Sequence, residues 1–185
     1  MSIFTNAATS TPEEIAAYVV ALQELLGGRD PLQVLRAMPS ALKERAAGIA
    51  PKLLARREAP GKWSTLHVLA HLADSELVWG WRLRMVLAHE RPAITGYDQD
   101  LWAERLGYED ADPVQALRTF TILREANLRL LERAAPADLE RVGVHSERGE
   151  ETLAHLMRLY AGHDLLHLRQ LDRIRSTVTG GTPPE

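Results

Sequence analysis

The chain has 185 residues, no cysteine and a formal net charge of −3 at pH 7. That length suits one domain; the charge gives no case for nucleic acid, whose binders carry a basic face; and the lack of cysteine excludes disulfides, thiolate metal sites and a cysteine nucleophile. No stretch supplies the roughly 18 apolar residues of a membrane span, and the opening MSIFTNAATSTPEE lacks the charged start and apolar run of a secretory signal, so the expectation is a cytoplasmic protein acting on a small-molecule substrate, without membrane or nucleic-acid partners.

Helical periodicity predicts four long helices, and strand signals are scarce. The first opens at Thr11, a capping residue followed by Pro12 at the first helical position and by Glu13 and Glu14 in the first turn. Ile15, Val19, Leu22 and Leu26 share one face, and Gly27-Gly28 ends the helix. Residues 29–62 are punctuated by Pro31, Pro39, Pro51 and Pro60 and read as a long connection holding short helices at LQVLRAM and ALKERAAGIA. The second long helix opens at Ser64 and reaches about His89, with Trp63 placed to staple onto Val68. HERPAITGYDQD is a break, and LWAERLG a short helix or loop. The third helix runs from Asp112-Pro113 to about Ala134 and buries Leu117, Phe120, Leu123, Leu130 and Leu131. VGVHSERGE, with two glycines, reads as an extended loop, and the fourth helix covers about Glu150 to Ser176. The expected fold is an all-α four-helix bundle over residues 11–176, with long connections after helices one and two and tails at 1–10 and 177–185.

The inward stripe of the fourth helix is Leu153, Leu156, Tyr160, His163, His167, Leu171 and Ile174. Both imidazoles therefore hold core positions one turn apart and point the same way. Two buried rings cannot both be charged cheaply. A shared metal ion resolves this, because it binds neutral imidazole nitrogens. The second helix repeats the spacing with His67 and His71, followed by Asp74 and Ser75. It can supply a third nitrogen and leave positions open for water or substrate. Spacing alone leaves open which of the two histidines serves; His67 also stands where a capping box places Glu or Gln. Without a metal, the histidines would need hydrogen-bond partners, and Asp74 and Tyr160 are the visible candidates.

GKWSTLHVLAHLADSE (Gly61 to Glu76) and YAGHDLLHLRQL (Tyr160 to Leu171) resemble the two signature helices of the DinB superfamily, closest to its YfiT-like branch of metal-dependent hydrolases. VHSERGEETL (Val144 to Leu153) resembles the segment leading into that family's last helix. The resemblance implies a four-helix bundle, often a homodimer, whose divalent metal is held by His71, His163 and His167. Nickel or zinc is implied first, and tri-histidine sites also accept iron or manganese. It further implies that the metal activates either water or a low-molecular-weight thiol such as glutathione, bacillithiol or mycothiol. In such an enzyme Asp74 would orient His71 or a bound water, and His67 or Asp164 would move a proton. Asp164 is expected about 100° around the helix from His163, toward solvent. His67 departs from the Glu or Gln of the family pattern. As a fourth ligand it would close the site, and the alternative expectation is therefore a non-catalytic metal- or ligand-binding protein with a structural metal.

Overall fold

The computed structural model describes residues 10–181. Most of the tail expected at 1–10, and residues 182–185 of the tail expected at 177–185, lie outside the described residues. Helix α1 (Pro12–Leu26) begins as its sequence dictates. The Thr11 hydroxyl accepts from the Glu14 amide while the Glu14 carboxylate accepts from the Thr11 amide, so two end donors are satisfied reciprocally.

The segment expected to be a long connection is instead mostly one helix, α2 (Pro31–Ala47), with Leu35, Met38 and Leu42 buried. Pro39 lies inside it. Proline removes the donor for the carbonyl four residues back, here that of Leu35. That carbonyl accepts from the Arg124 guanidinium at 2.8 Å, so a distant side chain replaces the missing helix bond. This rescue is tertiary, which is why the proline read as a break.

Helix α3 (Thr65–Ala88) is capped by Ser64, α4 (Gln99–Arg105) by Asp98, α5 (Pro113–Arg133) by Asp112 and α6 (Leu153–Thr179) by Thr152. Helix α6 continues past Ser176, and Val178 is buried. Helices α2, α3, α5 and α6 each pack on two of the others, closing a four-helix bundle, and α1 lies against α6. That approach is close at Gly162, where a Cβ would stand 2.4 Å from the Leu22 carbonyl oxygen.

The all-α expectation needs one correction. A three-stranded sheet orders β1 (Ala93–Ile94), β2 (Val142–His145) and β3 (Gly149–Thr152) in sequence. β1 pairs parallel to β2, with Ile94 opposite His145. β2 and β3 form an antiparallel hairpin with Val142 opposite Thr152. The glycines that made this segment read as loop have a packing reason. A Cβ on Gly143 would stand 2.3 Å from the Ile94 side chain, so only glycine lets β2 settle there. Thr152 both ends the sheet and caps α6.

The core is layered. One apolar cluster holds Leu26, Leu35, Trp79, Leu131, Leu156 and Tyr160. The other holds Met38, Leu72, Phe120, Leu171 and Ile174. Between them along α3 fall His71, Ser75 and Glu76; along α5, Arg124 and Asn127; along α6, His163, Asp164 and His167, all buried. Mid-bundle, the protein carries a polar layer between two apolar ones.

Candidate metal centre

His71 comes from α3, and His163 and His167 from one face of α6. Their exposures are 1%, 7% and 1%. Nε2 of His163 lies 3.3 Å from Nε2 of His71 and 3.1 Å from Nε2 of His167. One ligand atom from each falls within 4.8 Å of the other two. Burial pushes the pKa of each ring down: His71 and His163 well below the ordinary value, each further depressed by its neighbours' charge, and His167 to about 4. The rings are therefore neutral at pH 7. Nδ1 of His167 lies 2.8 Å from Oε1 of Gln170. With that nitrogen donating to the amide oxygen, Nε2 of His167 presents its lone pair to the centre.

This donor set fits a divalent transition metal. Nε2 of His163 has a single proton or a single lone pair, yet it faces two other Nε2 atoms. Hydrogen bonding cannot satisfy both contacts, whereas a central cation takes a lone pair from all three. Nδ1 of His71 and of His163 is buried without a partner, so no hydrogen bond on the far side of either ring opposes a lone pair at the centre.

The other sequence candidates lie elsewhere. His67 is buried but outside the trio. An Arg57 nitrogen lies 3.1 Å from its Nε2, and Ser64 Oγ 2.8 Å from its Nδ1. Because arginine only donates, Nε2 accepts and Nδ1 carries the proton. Burial and Arg57 both lower its pKa. Asp74 is half-buried and accepts from the Tyr108 hydroxyl at 2.7 Å, not from His71. Nearer the trio is Ser75, whose Oγ lies 3.3 Å from His71 Nε2 and 3.2 Å from the Tyr97 hydroxyl. Trp63 packs its ring 4.9 Å from that of His71.

With this geometry in view, similarity to known proteins is informative. The family model of the DinB superfamily matches residues 35–171. The chain belongs to the DinB superfamily. A relative from Oceanobacillus iheyensis is 30% identical over 135 residues, 72% of this chain and 77% of the relative. YfiT of Bacillus subtilis is 30% identical over 146 residues, 77% of this chain and 82% of its own. Both names offer metal-dependent hydrolase as a candidate activity. The solved structure of YfiT from Bacillus subtilis matches with a TM-score of 0.75 at 27% identity, covering 82% of this chain and 87% of that one. It is described as a four-helix bundle of unusual topology.

In this DinB chain the trio borders a second polar cluster that the sequence pattern did not announce. Arg124 is fully buried, and its guanidinium donates to Glu76, Asp164, Tyr160 and the Leu35 carbonyl. The two Asp164 contacts are 2.6 and 2.9 Å, a two-pronged pair. Glu76 also accepts from the Tyr160 hydroxyl and, at 3.1 Å, from Asn127. Asp164 is thus completely buried, correcting its expected place toward solvent. Burial raises its carboxyl to about 6 against the opposing pull of Arg124. The signal was present on α5: Ala116, Phe120, Arg124, Asn127 and Leu131 form a helical stripe at steps of four, four, three and four. Polar members hid it. Gln170, three residues after His167, could likewise have been placed on the trio's face.

His163 and Ser75 also line a cavity of about 90 Å³, walled by α1, α3, α6 and the small sheet. Of the trio, His163 is the member that borders this cavity.

Proposed function

We propose that this chain is a metal-dependent enzyme of the hydrolase or thiol S-transferase type, with His71, His163 and His167 as the ligands of a divalent transition metal. The observation that carries this reading is the convergence of three neutral imidazoles beside a cavity, while His67 is turned away to Ser64 and Arg57. Three ligands, of which His163 borders the cavity, suit catalysis, whereas a structural site is normally closed by four. When bound, the ion lowers the pKa of a coordinated water or thiol toward neutrality.

The chain's own groups supply the rest. Gln170 fixes the His167 tautomer, and Trp63 shields His71 from water. Ser75 Oγ, linked to the Tyr97 hydroxyl, can hold a proton beside the reacting group. Burial raises the Tyr97 phenol, so it stays protonated and acts as donor rather than base. Asp74 and His67 enter this reading as positioning groups, through Tyr108 and Arg57. Asp164 and Glu76 hold the Arg124 guanidinium in the layer beside His163, and the charge of Arg124 helps keep that ring neutral. No helix among the described residues is long and apolar enough to cross a membrane. The family's homodimer would cover Leu77 and Trp81, exposed one turn apart on α3.

Metal analysis of purified protein, followed by ester-hydrolysis and thiol-transfer assays before and after chelation, tests the reading. Activity in either assay that vanishes on chelation and returns with nickel or zinc supports it. Firmly held metal with neither activity would return the site to a structural role.

A further inference from the structure

Two residues that line the cavity beside His163 each carry a buried donor without a partner. Arg82, on α3, is 6% exposed and lines it. One guanidinium nitrogen donates to the Thr95 carbonyl at 2.9 Å, while Nε is buried without a partner. No carboxylate pairs with this guanidinium among the described residues. Burial and the neighbouring Arg148 lower its pKa, but only to about 10, so it remains a cation at pH 7. Arg148, which also lines the cavity, is already neutralised by two contacts to Glu151 at 2.6 and 2.8 Å. Glu147 lies at the cavity wall without pairing to Arg82.

The second donor is His145, at the end of β2 and 2% exposed. Burial, Arg148 and Arg82 push its pKa down to about 3, so the ring is neutral. Its Nδ1 accepts from the Glu147 amide at 3.2 Å, which leaves the proton on Nε2. That Nε2 is buried and has no partner. Tyr18 of α1 faces the same cavity, and burial keeps its phenol protonated.

A buried cation with no carboxylate in direct contact, and with an idle donor, is unfavourable unless an acceptor completes it. Glu147 and Glu151 act on Arg82 only through space, so an anion of low charge suits the cavity better than a dianionic phosphate. Two orphan N–H groups match the two oxygens of a carboxylate. The cavity of about 90 Å³ has room for a carboxylate head. We propose that Arg82 and His145 form a carboxylate subsite that orients a small acid whose reacting atom meets the metal centre. The metal half of this statement rests on the reading above; the subsite itself does not. The acid can be the substrate or the thiol co-substrate, and the chemistry of recognition is the same.

Cobalt-substituted protein provides the test, because thiolate binding gives a charge-transfer band. Titration with 3-mercaptopropanoate should show affinity at least about tenfold above 3-mercaptopropanamide. In Arg82→Met, with cobalt content unchanged, the preference should fall to about twofold or less, and Arg82→Lys should restore part of it. His145→Gln should weaken it without abolishing it. If the acid belongs to the substrate instead, propanoate but not propanamide should bind alongside 2-mercaptoethanol and perturb its band. Equal affinity for both acids and their amides, or a preference that survives Arg82→Met, overturns the subsite. If no cobalt is taken up, the metal reading fails separately. Thermal stabilisation of the metal-free protein by propanoate over propanamide, lost in Arg82→Met, then still decides the subsite.

Discussion

Two polar regions share the middle of this bundle, and they differ in how completely their atoms are paired. Around Arg124 every group finds a partner: the guanidinium reaches two carboxylates, a phenol and the carbonyl that Pro39 leaves idle. Around the histidines and the adjoining cavity, Nδ1 of His71, Nδ1 of His163, Nε of Arg82 and Nε2 of His145 are buried with none. The side chains of both regions are buried, so burial alone does not explain the contrast. A saturated network rigidifies the helices it joins, whereas idle donors and facing lone pairs are the mark of a place kept for something else.

The comparison can be broken most severely at Arg124. Arg124→Met leaves Glu76 and Asp164 buried without their cation and should cost about 3–5 kcal/mol in urea unfolding. Adding Glu76→Gln and Asp164→Asn should recover much of that. A single mutant as stable as the parent would mean the network is not holding the bundle. Metal removal comes next. His163→Ala should reduce bound metal from near one per chain to a small residue, read by elemental analysis. The parent should lose about 3–4 kcal/mol on chelation if the ion is held at 100–1,000 times its dissociation constant. An unchanged metal content in His163→Ala would contradict the assignment.

Smaller changes sharpen the contrast. Tyr160→Phe deletes one hydroxyl from the closed network and should cost about 1–2 kcal/mol with metal content unchanged. For His145, the folded pKa of about 3 lies below the unfolded value of 6.5. Between those values the unfolded chain binds the proton and the folded one does not, so its contribution is present above pH 6.5 and lost as pH falls. In metal-free protein, His145→Gln should flatten the loss of stability between about pH 6 and pH 4 by roughly 1 kcal/mol per unit. Parallel curves for mutant and parent would place that ring in water. The smallest effect is expected at His67→Gln: full metal content and less than about 1 kcal/mol, since it touches Ser64, Arg57 and the Trp63 ring but none of the trio, and glutamine keeps a polar group there. Loss of metal there would restore His67 to the ligand set.

Local patterning made much of this protein legible. The caps at Thr11, Ser64 and Asp112 sit at helix starts because capping needs only neighbours in the chain. The stripe on α6 put His163 and His167 inside because helical periodicity is a one-dimensional signal. His71 followed from the family resemblance rather than from spacing, which could not separate it from His67. What escaped was decided by partners far along the chain. Pro39 stays within a helix because Arg124 takes over its lost bond. Gly143 belongs to a strand because Ile94 packs where a side chain would stand. Asp164 is buried because a cation from α5 meets it. Arg82 and His145 come from a helix and a strand 63 positions apart, and no periodicity links them. Spacing over a few residues was enough for the starts of α1, α3 and α5 and for the buried stripe of α6 with its imidazole pair, but not for α2 or the inward face of α5. Tertiary structure alone decided which polar side chains close on each other and which are left with open bonds, because pairing depends on contacts that only the folded chain brings together.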